Sequence, residues 1–154
     1  MIRAYREPDR RVLKEITARA FAGMSIDGSL EERFGLVGGT NWEERKLAQI
    51  DADCDKNPAG VFVYEEGGQV VGFVSVALDR GTNQGRIMNL AVDVGQQGKG
   101  IGRRLVEHAL QYMRDEGMEL ARIETLEENE VGRHLYPKLG FEEIARQIYY
   151  ARRL

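Results

Sequence analysis

Apolar and polar positions alternate along this chain with two different periods, and each change of period marks an element. Ile2 to Tyr5 is a candidate first strand. From Asp9 to Phe21 the spacing turns helical, with Val12, Leu13, Ile16 and Ala20 on one face. Pro8 stands just before that helix and Gly23 just after it. Residues 23–41 hold five glycines and no sustained period, which predicts a long loop or a loop with one short helical turn around Leu30 to Phe34. A second helix is expected over Trp42 to Cys54, where Leu47, Ile50 and Cys54 fall together behind a capping Asn41. Asn57-Pro58 breaks it.

The period then shortens. Val61 to Tyr64 and Gln69 to Leu78 read as strands joined through Glu65-Glu66-Gly67-Gly68, the clearest hairpin in the chain. A polar link from Asp79 to Gly85 leads to a strand at Arg86 to Val92. After a glycine cluster, Leu105, Val106, Ala109, Leu110 and Met113 form an amphipathic helix closed at Gly117. Ala121 to Leu126 is another strand and Val131 to Leu139 another helix, capped by Gly140. The tail from Phe141 to Tyr150 predicts one or two final strands. Hairpins early and strand-helix-strand later indicate an α/β protein, a mixed sheet with helices on its faces.

Composition narrows the chemistry more than the fold. A length of 154 residues fits one domain, residues 1–154. Twenty-two basic against twenty-five acidic residues give a charge of -3, ordinary for a cytoplasmic protein and without general attraction to nucleic acid. One cysteine, Cys54, and two histidines, His108 and His134, leave neither an intrachain disulfide nor a clustered metal motif. No apolar run suits a secretory signal or a membrane span, so no membrane partner is expected. Residues 26–60 carry eight acids and four bases, a local excess that suits a cationic amine and equally describes an ordinary acidic surface.

The informative stretch is Val92-Asp93-Val94-Gly95-Gln96-Gln97-Gly98-Lys99-Gly100-Ile101-Gly102-Arg103-Arg104. An aliphatic strand runs through tight turns into a helix whose first turn lacks bulk. Amides at a helix start have no internal partners and carry the positive end of the helix dipole. Glycines at 98, 100 and 102 would let a phosphate reach them, with Lys99, Arg103 and Arg104 nearby. A merely tight strand-to-helix turn with a basic edge is the competing reading. Walker A is excluded, because Asp93 stands where its first glycine belongs and Gly100 where it needs Ser or Thr. The dinucleotide fingerprint is excluded too, since a start at Gly98 puts Arg103 at its third glycine.

With Gln97, Gly100 and Gly102 in the pattern Q/R-x-x-G-x-G/A after Leu90-Ala91-Val92, the chain resembles the GCN5-related N-acetyltransferase (GNAT) superfamily. A second family segment matches at Asn129, Leu135, Tyr136, Gly140 and Phe141, and the hairpin with Val71-Gly72-Phe73 is similar to the strands preceding the signature. The resemblance covers roughly residues 60–145. It implies the acyl-CoA N-acyltransferase fold, a central mixed, mostly antiparallel sheet flanked by helices. It also implies acetyl-CoA as acyl donor and transfer to a primary amine of a small molecule or peptide by direct attack. The implied cofactor site comprises Leu90, Ala91 and Val92 along the donor's arm, and Gln97, Gly98, Lys99, Gly100, Ile101, Gly102 and Arg103 at its pyrophosphate. Asn129 is the family's asparagine near the arm, or equally a helix N-cap.

Tyr136 matches the tyrosine that protonates the departing thiolate; packing against the sheet is its other reading. The base is less defined. Arg86-Ile87-Met88-Asn89 has no acid where some members carry one, which leaves Glu124, a water chain or, more weakly, Asp51 and Asp53. Glu124 also reads as a strand residue paired with Arg122. The alternative to an enzyme is an acyl-CoA-binding sensor or accessory protein with little turnover. Trp42 and Phe34 are candidates to line the acceptor side, and a homodimer is compatible with the family.

Overall fold

A computed structural model describes residues 1–154. Strand β1 (Ile2–Ala4) leads through a turn of 3-10 helix into α1 (Arg10–Ala20), followed by α2 (Ile26–Phe34) and α3 (Trp42–Lys56). Then come β2 (Val61–Glu66), β3 (Gln69–Asp79), β4 (Gln84–Val92), α4 (Ile101–Asp115), β5 (Leu120–Ile123) and α5 (Glu130–Lys138). The five strands lie in the order β1-β2-β3-β4-β5. Every neighbouring pair is antiparallel except β4 and β5, which α4 connects as a parallel pair.

Alternation along the strands builds a core on each face of the sheet. Val61, Val63, Phe73 and Ala91 meet Leu13 and Ile16 of α1 and Ile50 and Cys54 of α3. Phe62, Tyr64, Val74, Val76 and Ile87 meet Ile101, Leu105, Val106, Ala109 and Met113 of α4. Leu105 is fully buried, so truncating it to Ala costs about 2–5 kcal/mol.

Two local expectations are corrected. The segment after Gly23 is not a loop with one turn, because α2 runs for nine residues. Ser25 starts it, its hydroxyl accepting the Gly28 amide at 2.9 Å. The tail forms no strand, and residues 142–154 make no backbone-to-backbone hydrogen bond. Its aliphatic residues, Ile144 and Ile148, lie four apart rather than alternating, and both are exposed. Side chains hold it instead, Arg146 pairing with Glu127 at 2.7 Å and Glu143 at 2.6 Å, and Arg153 donating to the Phe34 carbonyl. No helix is long and apolar enough to cross a membrane.

Candidate active site

The sheet opens where β4 outruns β5. Their pairing ends at Ile87 and Ile123, yet β4 continues to Val92. From Met88 onward β3 is therefore the only strand beside β4. The Asp93 amide reaches the Val71 carbonyl at 2.8 Å and the Asn89 amide reaches the Ser75 hydroxyl at 3.1 Å, both on the β3 side. Strand alternation turns the amides of Leu90 and Val92 the other way, into the wedge that β5 leaves. Ala91 is turned toward β3, with its methyl in the α1/α3 core. Of the three strand residues expected at the donor's arm, two thus present backbone donors to open space.

The wedge leads to the glycine loop. Gly98 and Gly100 adopt φ of 80° and 77°, and Gly100 precedes α4 without any side-chain cap. None of the seven amides from Gln97 to Arg103 donates to an acceptor within the chain; the first helical bond runs from the Arg104 amide to the Gly100 carbonyl. Gln97 folds back so that its Nε2 donates to the Val92 carbonyl at 3.1 Å, joining loop to wedge. Lys99 is held by Gln96 at 2.5 Å, Arg103 by Glu107 at 2.9 Å, and Arg104 by the Tyr64 hydroxyl at 2.8 Å. The result is a row of free N–H groups at the positive end of a fifteen-residue helix, with three cations around it.

Helix α5 flanks this loop, since Leu135 approaches the point where a Cβ on Gly102 would stand. Asn129 caps α5, accepting the Gly132 amide at 3.2 Å and donating to the Thr125 hydroxyl at 2.8 Å. Gly132 makes room for Tyr136, because a Cβ there would lie 2.9 Å from the ring. The Tyr136 ring packs edge-on against Phe141, and burial pushes its hydroxyl up to about 12. It remains protonated at neutral pH and is able to donate. Glu124 just beyond β5 is half-exposed and engaged by Arg86 and, at 3.5 Å, by Arg122.

On the opposite face lies a polar cluster that the sequence pattern concealed. Asp53 of α3 accepts from the Ser75 hydroxyl at 2.6 Å and from the Asn89 side-chain amide at 2.7 Å. Lys46 donates to Asn89 Oδ1 at 2.8 Å and to Gln49 at 3.1 Å, and stacks over the Phe21 ring. Burial lowers the Lys46 pKa, with Asp27 and Asp53 opposing it. Ser75 and Asn89 are buried polar residues within aliphatic strands, the one sequence signal that marked them. Separately, α2 and the start of α3 frame an acidic depression of about 410 Å³, lined by Ser25, Glu31, Glu32 and Trp42 among others. Phe34, at the end of α2, is not among its lining residues.

The remaining candidates stand apart from the wedge and the loop. Cys54 is buried, which pushes its thiol up and away from the reactive thiolate. His108 packs edge-on against Phe62, and His134 bonds the Glu130 carbonyl one turn back.

Residues 26–141 match the Acetyltransferase (GNAT) family. The chain belongs to that family. It is 31% identical over 160 residues to a mycothiol acetyltransferase of Rhodococcus jostii (strain RHA1), a match covering 98% of this chain and 48% of that protein. The chain thus spans about half the length of the curated relatives it matches. Its fold is shared with PH1933 from Pyrococcus horikoshii OT3 (TM-score 0.75, 23% identity, 96% of this chain and 91% of that one). The PaiA N-acetyltransferase from Thermoplasma acidophilum, solved with coenzyme A, is also similar (TM-score 0.74, 19% identity, 92% and 89% covered). The family membership agrees with the mixed sheet and flanking helices expected from the sequence.

Proposed function

We propose that this protein is an acetyl-CoA-dependent N-acetyltransferase acting on the primary amine of a small molecule or peptide. The observation that carries this reading is the continuity of free backbone donors from Leu90 and Val92 in the wedge to the amides of residues 97–103. The pyrophosphate of the donor sits on the loop amides, where orphan N–H groups and the helix dipole favour an anion. Its amide-bearing arm lies along the vacated edge of β4 and takes the place of the missing strand. The thioester carbonyl then points at an amide of Leu90 or Val92, which stabilises the oxygen as negative charge develops.

The acceptor enters from the α1/α3 face. Its nitrogen lone pair forms the C–N bond, the C–S bond breaks, and Tyr136 supplies a proton to the departing sulfur. Tyr136 is suited to this because its raised pKa keeps the hydroxyl protonated throughout the working range. The arginine contacts of Glu124 argue against it as the base, and water in the cleft takes the amine proton. Holding donor and amine in one cleft supplies proximity without a covalent enzyme intermediate. The acidic depression lined by Glu31 and Glu32 suits a cationic acceptor. Similarity to mycothiol acetyltransferases is a reason to test an amine related to mycothiol along with polyamines and peptides.

The test is a titration with acetyl-CoA, followed by thiol release across these amines. Saturable binding with release on at least one amine supports the reading. Absence of saturable binding overturns it, and binding without release on any amine leaves the sensor reading in its place.

A further inference from the structure

The wedge and a break in strand register begin at the same residue. Ser75 pairs with Asn89 and Val76 pairs with Ile87, so Met88 is an extra residue on β4 with no partner on β3. The bulge reverses which way the strand faces. Ile87 points into the α4 core, whereas Asn89, two residues on, points to α3 and Ala91 joins the α1/α3 core. In an unbroken strand residues 87, 89 and 91 would share one face. Parallel pairing with β5 ends at Ile87 as well, so the bulge decides which amides beyond it look into the wedge.

Something must hold this bulge, because an extra residue interrupts the ladder. The Asn89 amide donates to the Ser75 hydroxyl, whose own proton goes to Asp53. The same Asp53 oxygen receives the Asn89 side-chain amide. Asn89 Oδ1 in turn takes the Lys46 ammonium, giving a carboxylate and an ammonium bridged by one amide. Lys46 is otherwise anomalous. It is the only basic side chain in the chain that is shielded from solvent yet makes no ion pair. Two amide oxygens and the Phe21 ring satisfy it instead. The Ser75 and Asn89 donors meet on one Asp53 oxygen, and no buried side-chain nitrogen or oxygen in the chain lacks a partner. A network whose buried atoms are all satisfied favours one geometry.

We infer that Asp53, acting through Ser75 and Asn89, is a positioning residue that locks the β4 bulge and so aims the Leu90 amide at the thioester oxygen, with Lys46 balancing its charge. This rests on the transferase reading above. Asp53 here touches neither donor nor amine. Its work is done on the strand, and displacement of a transition-state donor by about 1 Å costs on the order of 100-fold in rate.

Two substitutions separate this role from that of a general base. Ser75→Ala leaves the Asp53 charge in place but removes the hydroxyl that links it to the Asn89 amide, and it is expected to lower kcat at least about tenfold while KM for acetyl-CoA stays within about twofold. Asp53→Asn keeps an oxygen for both donors and is expected to retain kcat within about threefold, with the acid limb of the kcat/KM profile unchanged. Unaltered kcat in Ser75→Ala, or loss of the acid limb in Asp53→Asn, overturns the inference. Should Ser75→Ala not fold, Asp53→Ala takes its place, since Asp53 lies on the partly exposed side of α3 and the same kcat loss is expected. Amide hydrogen exchange of residues 88–92 in the ligand-free chain gives a second readout. Faster exchange in the Ser75 or Asp53→Ala variant is expected, and unchanged exchange overturns the inference. An inactive wild type that binds no acetyl-CoA would sink the transferase reading alone, because the exchange result still decides whether the clamp exists.

Discussion

Two of the loops that use glycine with positive φ differ in where their amides go. In the loop after α2, Gly35, Gly38 and Gly39 have φ of 70°, 61° and 72°. The Gly35 amide closes onto the Glu31 carbonyl at 2.8 Å, and Val37 and Thr40 bond each other across Gly38-Gly39. Those bonds interrupt the loop's free amides, so no run of unpaired donors longer than the two at Gly38 and Gly39 remains. In the loop before α4, Gly98 and Gly100 also have positive φ, yet the surrounding amides bond to nothing within the chain. Glycine content and the sign of φ are alike in the two places; what differs is an unbroken run of free donors next to a half-paired strand. An anion site is therefore recognised by its free donors and not by its glycines.

The contrast is broken most directly at Gly100. Gly100→Val imposes a branched side chain on a left-handed residue and crowds the amide row. Losing one charge-assisted hydrogen bond of about 2 kcal/mol weakens acetyl-CoA binding roughly 30-fold, measurable by titration calorimetry. Gly38→Val carries the same conformational penalty of roughly 1–2 kcal/mol. It is expected to lower the melting temperature without changing acetyl-CoA affinity. Equal losses of binding in both variants would show that backbone strain, not donor access, explains the first.

Tyr136→Phe asks how far the functional region extends beyond the loop. It removes the proton donor and keeps the ring that packs on Phe141, so kcat is expected to fall roughly 100-fold, with acetyl-CoA binding preserved. Because burial holds this hydroxyl at about 12, any alkaline decline in wild-type kcat between pH 7 and 9 arises from another group.

The smallest effect on activity is expected far from both loops, at Asp9. Arg3 donates to it at 2.8 and 2.9 Å and the Arg6 amide at 2.8 Å, which holds the Asp9 carboxyl below the usual range, Arg3 first. A carboxyl lowered in the folded state stabilises the fold at any pH above its unfolded value of about 4, and that contribution is lost as pH falls through the folded value. Asp9→Asn is therefore expected to cost about 2 kcal/mol at pH 7, with the difference from wild type shrinking below about pH 4 and activity per folded molecule unchanged. A constant difference between pH 3 and 7, read by denaturant unfolding, would remove the ion pair as its cause.

Much of this molecule was legible in its residue order because the deciding forces are local. The hairpin of β2 and β3 follows from alternation and a Gly-Gly turn, and α3 from its Asn41 cap and the spacing of Ile50 and Cys54. The glycine loop and α5 were read from spacing and family resemblance, and both stand beside the wedge. Helix α2 was under-read because its apolar positions are few, none of its residues is buried, and the Ser25 cap does not depend on periodicity. The tail was over-read because β-prone residues such as Ile148, Tyr149 and Tyr150 form a strand only if a neighbouring edge receives them, and residues 142–154 have no backbone partner.

The sequence by itself determined the two periods, the two apolar faces and the row of small residues at the start of α4, since each depends on neighbours a few positions apart. Only the tertiary structure decided that β4 outruns β5, that Met88 is an extra residue, and that Lys46, Asp53, Ser75 and Asn89 meet. Those outcomes depend on strand register and on side chains from separate elements. A one-residue slip in register reverses every face beyond it, and no local pattern records where that slip falls.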